Sequence, residues 1–264
     1  MLRTTMRGLV TNRLFTLGIM VCVGFPICGQ SPQSQPVELD KLSKQVDQMV
    51  KRIVNWGEPM NSSGAKAELR ETKRGEREGK LFVAYELYVT GAPRDKFYTL
   101  FQFPITSAEP MVALRDVSFE TDGRLCLKKG KDCSNPVQLA FLPGKGEPFR
   151  FVVMSKDGKT RAAAMIVPDP IVGTDQGCRV EVIRVTPKFE GALFLGKGFR
   201  PGEEIKFSSN SAGEILEGTT RKVDSNGEFV QVLAPFVKGK DKGTDEVTFK
   251  ASTCAPVVKY DWGT

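Results

Sequence analysis

The chain has 264 residues, with 38 Lys and Arg, 31 Asp and Glu, six Cys and no His. Without histidine there is no Ser-His-Asp triad, no Cys-His dyad and no His-ligated zinc, so any chemistry falls to carboxylates, Lys or Tyr. Contents of 40% hydrophobic and 26% charged residues argue against wholesale disorder, and the length allows two domains of ordinary size.

Residues 1–29 have the layout of a secretory signal peptide. Arg3, Arg7 and Arg13 precede an apolar run from Leu14 to Cys28, which Pro26 interrupts. Gly29 supplies a small residue for cleavage. The run is shorter than the roughly 20 residues of a membrane-spanning helix, and no later run is long enough. The expectation is export, periplasmic or extracellular, of a chain that does not span the membrane. Lipidation of Cys28 is disfavoured because Ile27 stands where a small residue is wanted. Cleavage would remove three of the positive charges, and the mild excess left does not imply nucleic-acid binding.

Residues 30–64 form a polar lead, QSPQSQP, and then one amphipathic pattern. Leu39, Leu42, Val46, Met49, Val50 and Ile53 recur at spacings of three and four. That predicts a helix over Glu38–Asn55, stopped by Gly57 and Pro59. The helix would pack on the next domain or dock the chain, as an accessory subunit, onto a partner.

From residue 65 the period becomes two. Ala65, Ala67 and Leu69 alternate with charged residues, as do Leu81, Val83, Tyr85, Leu87 and Val89 with their neighbours. Lys73–Lys80 reads as a charged turn between them. Further strands are expected at Tyr98–Phe103, Met111–Phe119, Arg124–Lys128, Val137–Leu142, Phe149–Ser155 and Arg161–Val167. This makes residues 65–170 a β-sandwich domain, ended by Pro168-Asp169-Pro170 and the GTDQG that follows. Residues 171–264 repeat the logic at Cys178–Val185, Ala192–Gly196, Glu204–Ser209, Ile215–Val223, Glu228–Leu233, Glu246–Ser252 and Val257–Trp262. The fold class expected is mainly β: two tandem sandwiches behind a short helix, the second immunoglobulin-like.

Four cysteines lie beyond the signal: Cys126, Cys133, Cys178 and Cys254. An even count in an exported chain reads as disulfides, with three pairings open. Pairing 126 with 133 and 178 with 254 keeps each bond within one domain and is preferred. The long loop would contribute about 4.5 kcal/mol and the short one about 2.5 kcal/mol in the chain-entropy model.

Gly196-Lys197-Gly198-Phe199-Arg200-Pro201-Gly202-Glu203 is similar to the G-x-G-F-x-P-G-E stretch of bacterial exported Ig-like β-sandwich modules. Asp224-Ser225-Asn226-Gly227-Glu228-Phe229 resembles their D-x-x-G-x-F hairpin. The resemblance covers about residues 178–262. It implies an Ig-like fold, with roles in adhesion, spacing or binding of proteins or carbohydrate, and assigns no site residue.

No catalytic, cofactor-binding or metal residue is assigned. Ser63-Gly64-Ala65-Lys66 fits S-x-x-K, but the partner motifs of that chemistry are missing. Asp224–Gly227 has the start of a calcium loop without its closing Glu, and a tight turn is the simpler reading. Lys128, Lys129 and Lys131, and Lys238, Lys240 and Lys242, form two basic clusters suited to hairpin tips or to an anionic surface. Tyr260 and Trp262 share one strand face, either core or a sugar platform. The leading function is a non-catalytic binding or structural module whose partner is a cell-surface protein or polysaccharide. The alternatives are a carboxylate-dependent hydrolase acting on a glycan and the accessory subunit already mentioned.

Overall fold

Alternating side chains commit this chain to sheets, and the strands follow the period-two stretches closely. The computed structural model describes residues 61–263 apart from 63, 107, 108, 130 and 131, with backbone only at 128, 129, 132–135 and 218. The signal segment and the Glu38–Asn55 helix lie outside the described residues. Among the described residues the structure is all β, with no helix.

Strands β1 (Lys66–Arg77), β2 (Lys80–Thr90) and β7 (Gln138–Phe141) form one antiparallel sheet in the order β1-β2-β7. A second has the order β6-β5-β4-β3-β8-β9. It contains β3 (Tyr98–Gln102), β4 (Met111–Phe119), β5 (Leu125–Lys129), β6 (Asp132–Pro136), β8 (Phe149–Ser155) and β9 (Arg161–Ile166). Leu87, Val89 and Leu139 from the first sheet and Tyr98, Leu100, Phe151 and Val153 from the second gather in one hydrophobic core.

Strands β10 (Ile171–Asp175), β11 (Cys178–Arg184), β12 (Ala192–Lys197) and β15 (Phe229–Leu233) make a third sheet, β10-β11-β12-β15. The fourth, β14-β13-β16-β17, contains β13 (Glu204–Ser211), β14 (Glu214–Lys222), β16 (Gly243–Lys250) and β17 (Val257–Trp262). Their inward residues share a second core, in which Phe249 lies 5.3 Å from Phe194 and 5.2 Å from Phe229 between ring centroids. Gly196 is opposite Phe229, whose ring occupies the space a Cβ would fill, with a carbon only 1.9 Å from that position. Two sheets closing on an apolar core is the β-sandwich arrangement.

The strand expectations fail in three places. Lys73–Lys80 is not a turn: β1 runs on to Arg77, and the hairpin closes at Glu78 and Gly79, both with positive φ (55° and 73°). That is the geometry of a two-residue type I′ turn, which matches strand twist. A charged, outward-facing strand has no apolar alternation to announce it. β6 is a short strand at the sheet edge with no apolar alternation to announce it. β10 occupies the stretch read as a boundary, pairing with β11 through the Gln176-Gly177 turn.

The backbone also removes two motifs. Lys66 of the S-x-x-K sequence opens a strand, so the one-turn helical spacing that chemistry needs is not formed. Asp224 closes a tight turn, its Oδ1 accepting from the amides of Asn226 (2.8 Å) and Glu228 (2.9 Å). Cys178 and Cys254 are disulfide-bonded, with Cα atoms 6.3 Å apart, joining the start of β11 to the β16–β17 connection. Cys126 is also disulfide-bonded, while the side chain of Cys133 lies outside the described set.

Replacing Cys178 and Cys254 together by Ala is expected to lower unfolding stability by about 2–4.5 kcal/mol. Urea titration of the oxidised parent and the double variant measures this; an unchanged midpoint would mean that the bond stores no stability.

Candidate ligand cleft

The loop between β7 and β8 turns tightly, the amide of Glu147 donating to the Gly144 carbonyl and the Glu147 carboxylate accepting from the Gly144 amide at 3.0 Å. Its Gly146 peptide is then bonded on both sides. The N–H donates to the Asp169 carbonyl at 2.7 Å, and the C=O accepts from the Arg184 amide at 2.7 Å. Gly146 has φ 68°, and a Cβ there would come within 2.8 Å of Phe189 Cζ. Only glycine meets both demands.

This junction bounds a cleft of about 420 Å³ lined by Lys145, Ile171, Arg184, Phe189, Lys259, Tyr260 and Asp261. The Arg184 guanidinium lies over the Phe189 ring, 4.5 Å from its centroid, and Nη1 donates to the Pro187 carbonyl at 3.2 Å. Its Nε is buried without a hydrogen-bond partner. Burial pulls the Arg184 pKa below its usual range, opposed by the charge of Glu147, yet an arginine stays cationic. Phe189 is buried, with Tyr260 5.0 Å away on the core side. Asp261, the one carboxylate lining the cleft, accepts from Thr244 Oγ1 at 2.6 Å. Three cations line the cleft against the one carboxylate of Asp261, with the Glu147 charge beside Arg184 offsetting part of the excess. Phe189, under the Arg184 guanidinium, gives the cleft an aromatic wall.

Behind the cleft the core of the fourth sheet carries a buried polar line. Asp245 is fully inaccessible; its two oxygens accept from Ser209 Oγ at 2.7 Å and Tyr260 Oη at 2.8 Å. Next to it Trp262 Nε1 donates to Ser211 Oγ at 2.9 Å, and that hydroxyl donates to the Pro235 carbonyl. Burial raises the Asp245 carboxyl above the ordinary carboxylate range, outweighing both hydrogen bonds. Burial, and then the Asp245 charge, push the Tyr260 phenol up as well. Both acceptor atoms are occupied, so the group braces strands β13, β16 and β17.

The residues singled out from the sequence therefore fall apart spatially. Tyr260 and Trp262 are core, 4% and 2% exposed, so neither offers a sugar-stacking face. Lys240 donates to the Ala212 carbonyl, tying the KGKDKG loop to the β13–β14 turn. The side chains of Lys128 and Lys129, and all of Lys131, lie outside the described residues. Among the described residues no group of His, Cys, Asp and Glu is placed to hold a metal ion. The cleft residues Lys145, Arg184 and Lys259 went unnoticed, because nothing in their spacing brings together a turn, a strand end and a last strand. No protein-family model matches the chain, and no similar curated protein is found.

Since folding raises the Asp245 pKa, the native state holds a proton that the unfolded chain gives up. Stability should fall as pH rises from the ordinary carboxylate range through the native value. Asp245→Asn, which cannot ionise, is expected to flatten that slope and to match or exceed the parent near pH 8. Urea midpoints between pH 4 and 8 test this; an equal loss at every pH would assign the carboxylate a purely hydrogen-bonding role.

Proposed function

We propose that the chain is an exported, non-catalytic binding module that holds an anionic group, a carboxylate or sulfate ester on a polysaccharide, in the cleft formed by Lys145, Arg184 and Lys259. The convergence of Lys145, Arg184 and Lys259 on one cleft, with the Arg184 guanidinium stacked on Phe189, is the observation that carries this reading. An oxyanion seated among these cations would accept charge-assisted hydrogen bonds, which are the stronger class. Glycoside hydrolysis ordinarily uses two carboxylates, and the cleft is lined by one that Thr244 already engages, so binding is favoured over a hydrolase.

The immunoglobulin-like assignment of residues 171–264 draws support from strand order. β11-β12-β15 opposes β14-β13-β16-β17, so the chain changes sheet after β12, after β14 and after β15, as in a Greek-key sandwich. Residues 65–170, with their own core, form the first domain in this reading. Export is supported by the arginine-led apolar start of the sequence and by the Cys178–Cys254 bond, which is compatible with an oxidising compartment. Among the described residues no helix is long and apolar enough to cross a membrane.

Titration with polygalacturonate oligomers and with a neutral glucan, at two salt concentrations, tests the proposal. Binding of the acidic oligomer alone, weakened by salt and reduced about tenfold or more by Arg184→Gln, is expected. Equal binding of the neutral glucan, or an Arg184→Gln variant that binds like the parent, would overturn it.

A further inference from the structure

The six-stranded sheet has a second apolar face, turned away from its core. Leu100, Phe151 and Val153 point inward and pack in the core, so their neighbours Phe101 and Val152 point outward. Register aligns Val112 of β4, Phe101 of β3, Val152 of β8 and Ala163 of β9 in one row across four strands. The next row places Thr99, Met154 and Arg161 side by side. Phe101, Phe103, Pro110, Val152, Met154 and Arg161 line a depression of about 170 Å³ on this face. A sheet with one face in the core ordinarily turns polar residues outward, whereas this row is apolar throughout.

The chain enters at the edge of that same face. β9 is the last strand of the sheet, and Asn61 and Ser62 run along its free side. The Ser62 amide donates to the Arg161 carbonyl at 2.9 Å, and Ser62 Oγ accepts from the Arg161 amide at 2.8 Å. Asn61 Oδ1 accepts from the Ala163 amide at 2.7 Å. These bonds fix where the preceding sequence starts. Five residues, 56–60, separate Asn61 from the amphipathic stretch Glu38–Asn55, a reach of up to about 18 Å. A helix of that length would be about 27 Å long, enough to cross the four strands, which span about 14 Å.

We propose that the outer face of this sheet, centred on Phe101, Val152 and Met154, is the docking surface for the apolar stripe Leu39, Leu42, Val46, Met49, Val50 and Ile53 of the same chain. The stripe supplies six apolar side chains at helical spacing, and the tether places them beside the apolar row of the sheet. Docked in this way, the segment's apolar residues are spent within the monomer and are not offered to a partner.

Hydrogen exchange of the exported full chain, read by mass spectrometry alongside sedimentation velocity, tests this. The parent is expected to be monomeric, with amides of residues 42–53 exchanging about tenfold or more slower than in Val46→Glu. Charging the face by Met154→Glu, or at the 42% exposed Val112 by Val112→Glu, should release the same amides while β2 and β11 stay protected. The Val112 variant keeps the test decisive if Met154→Glu fails to fold. Three results would overturn the proposal: residues 42–53 exchanging at free-chain rates in the parent, protection unaffected by both face variants, or protection seen only in a dimer, which would give the face to a second copy.

Discussion

The Gly146 peptide is the point on which the described chain turns. It is bonded to Asp169 on one side and Arg184 on the other, and it lacks the Cβ that Phe189 would strike. A short loop from one apolar core is thereby pinned to the end of β11, which belongs to the other. The cleft follows from this, since Lys145 is carried to Arg184 by the neighbouring glycine's two hydrogen bonds and not by packing of its own. Arg74 holds the segment that leads into β10: it is bidentate to Glu71 and also donates to the Pro168 carbonyl at 2.9 Å. Burial, with help from the Glu71 charge, pushes the pKa of Tyr85, which hydrogen-bonds that carboxylate, up to about 12.

Polar groups inside the second core are handled differently from those at its rim. Asp245, Ser209, Ser211, Tyr260 and Trp262 are satisfied among themselves and by one carbonyl, at fixed distances across three strands. A closed set of this kind specifies strand register, because a slip of one residue would strand the carboxylate in an apolar core. Arg184 is its opposite: it lines the cleft, stacked on Phe189 and held by one hydrogen bond to the Pro187 carbonyl. The same sheet pair thus holds one polar set closed inside the core and one cation at a cleft, and only the second is suited to a ligand.

Most strands were legible in the sequence as short apolar or alternating runs between turn signals. Met111–Phe119, Phe149–Ser155 and Val257–Trp262 coincide with β4, β8 and β17. The G-x-G-F-x-P-G-E stretch also makes local sense. Gly196 makes room for Phe229, and Glu203 accepts from the Arg200 amide at 2.8 Å and from Ser252 Oγ at 2.8 Å, closing the turn onto the β16–β17 connection. What the sequence concealed has two causes. The far half of β1 faces outward on both sides and is patterned by charge, and β6 and β10 are short strands at sheet edges. The cleft was hidden for another reason: Lys145, Arg184 and Lys259 meet only after loop and strands have been assembled, and each by itself resembles any surface cation.

The Cys178–Cys254 bond has a mechanical meaning as well. It joins the first residue of β11 to the last connection of the fold, 76 positions further along the chain. A pull on the two ends of this region passes through the sulfurs and bypasses nearly every strand of the second core. At roughly 3.4 Å per extended residue, some 250 Å of chain cannot be paid out while the bond is intact. Tension applied through residues 171–264 would therefore reach whatever lies beyond them almost undiminished in length, as through a short inextensible link.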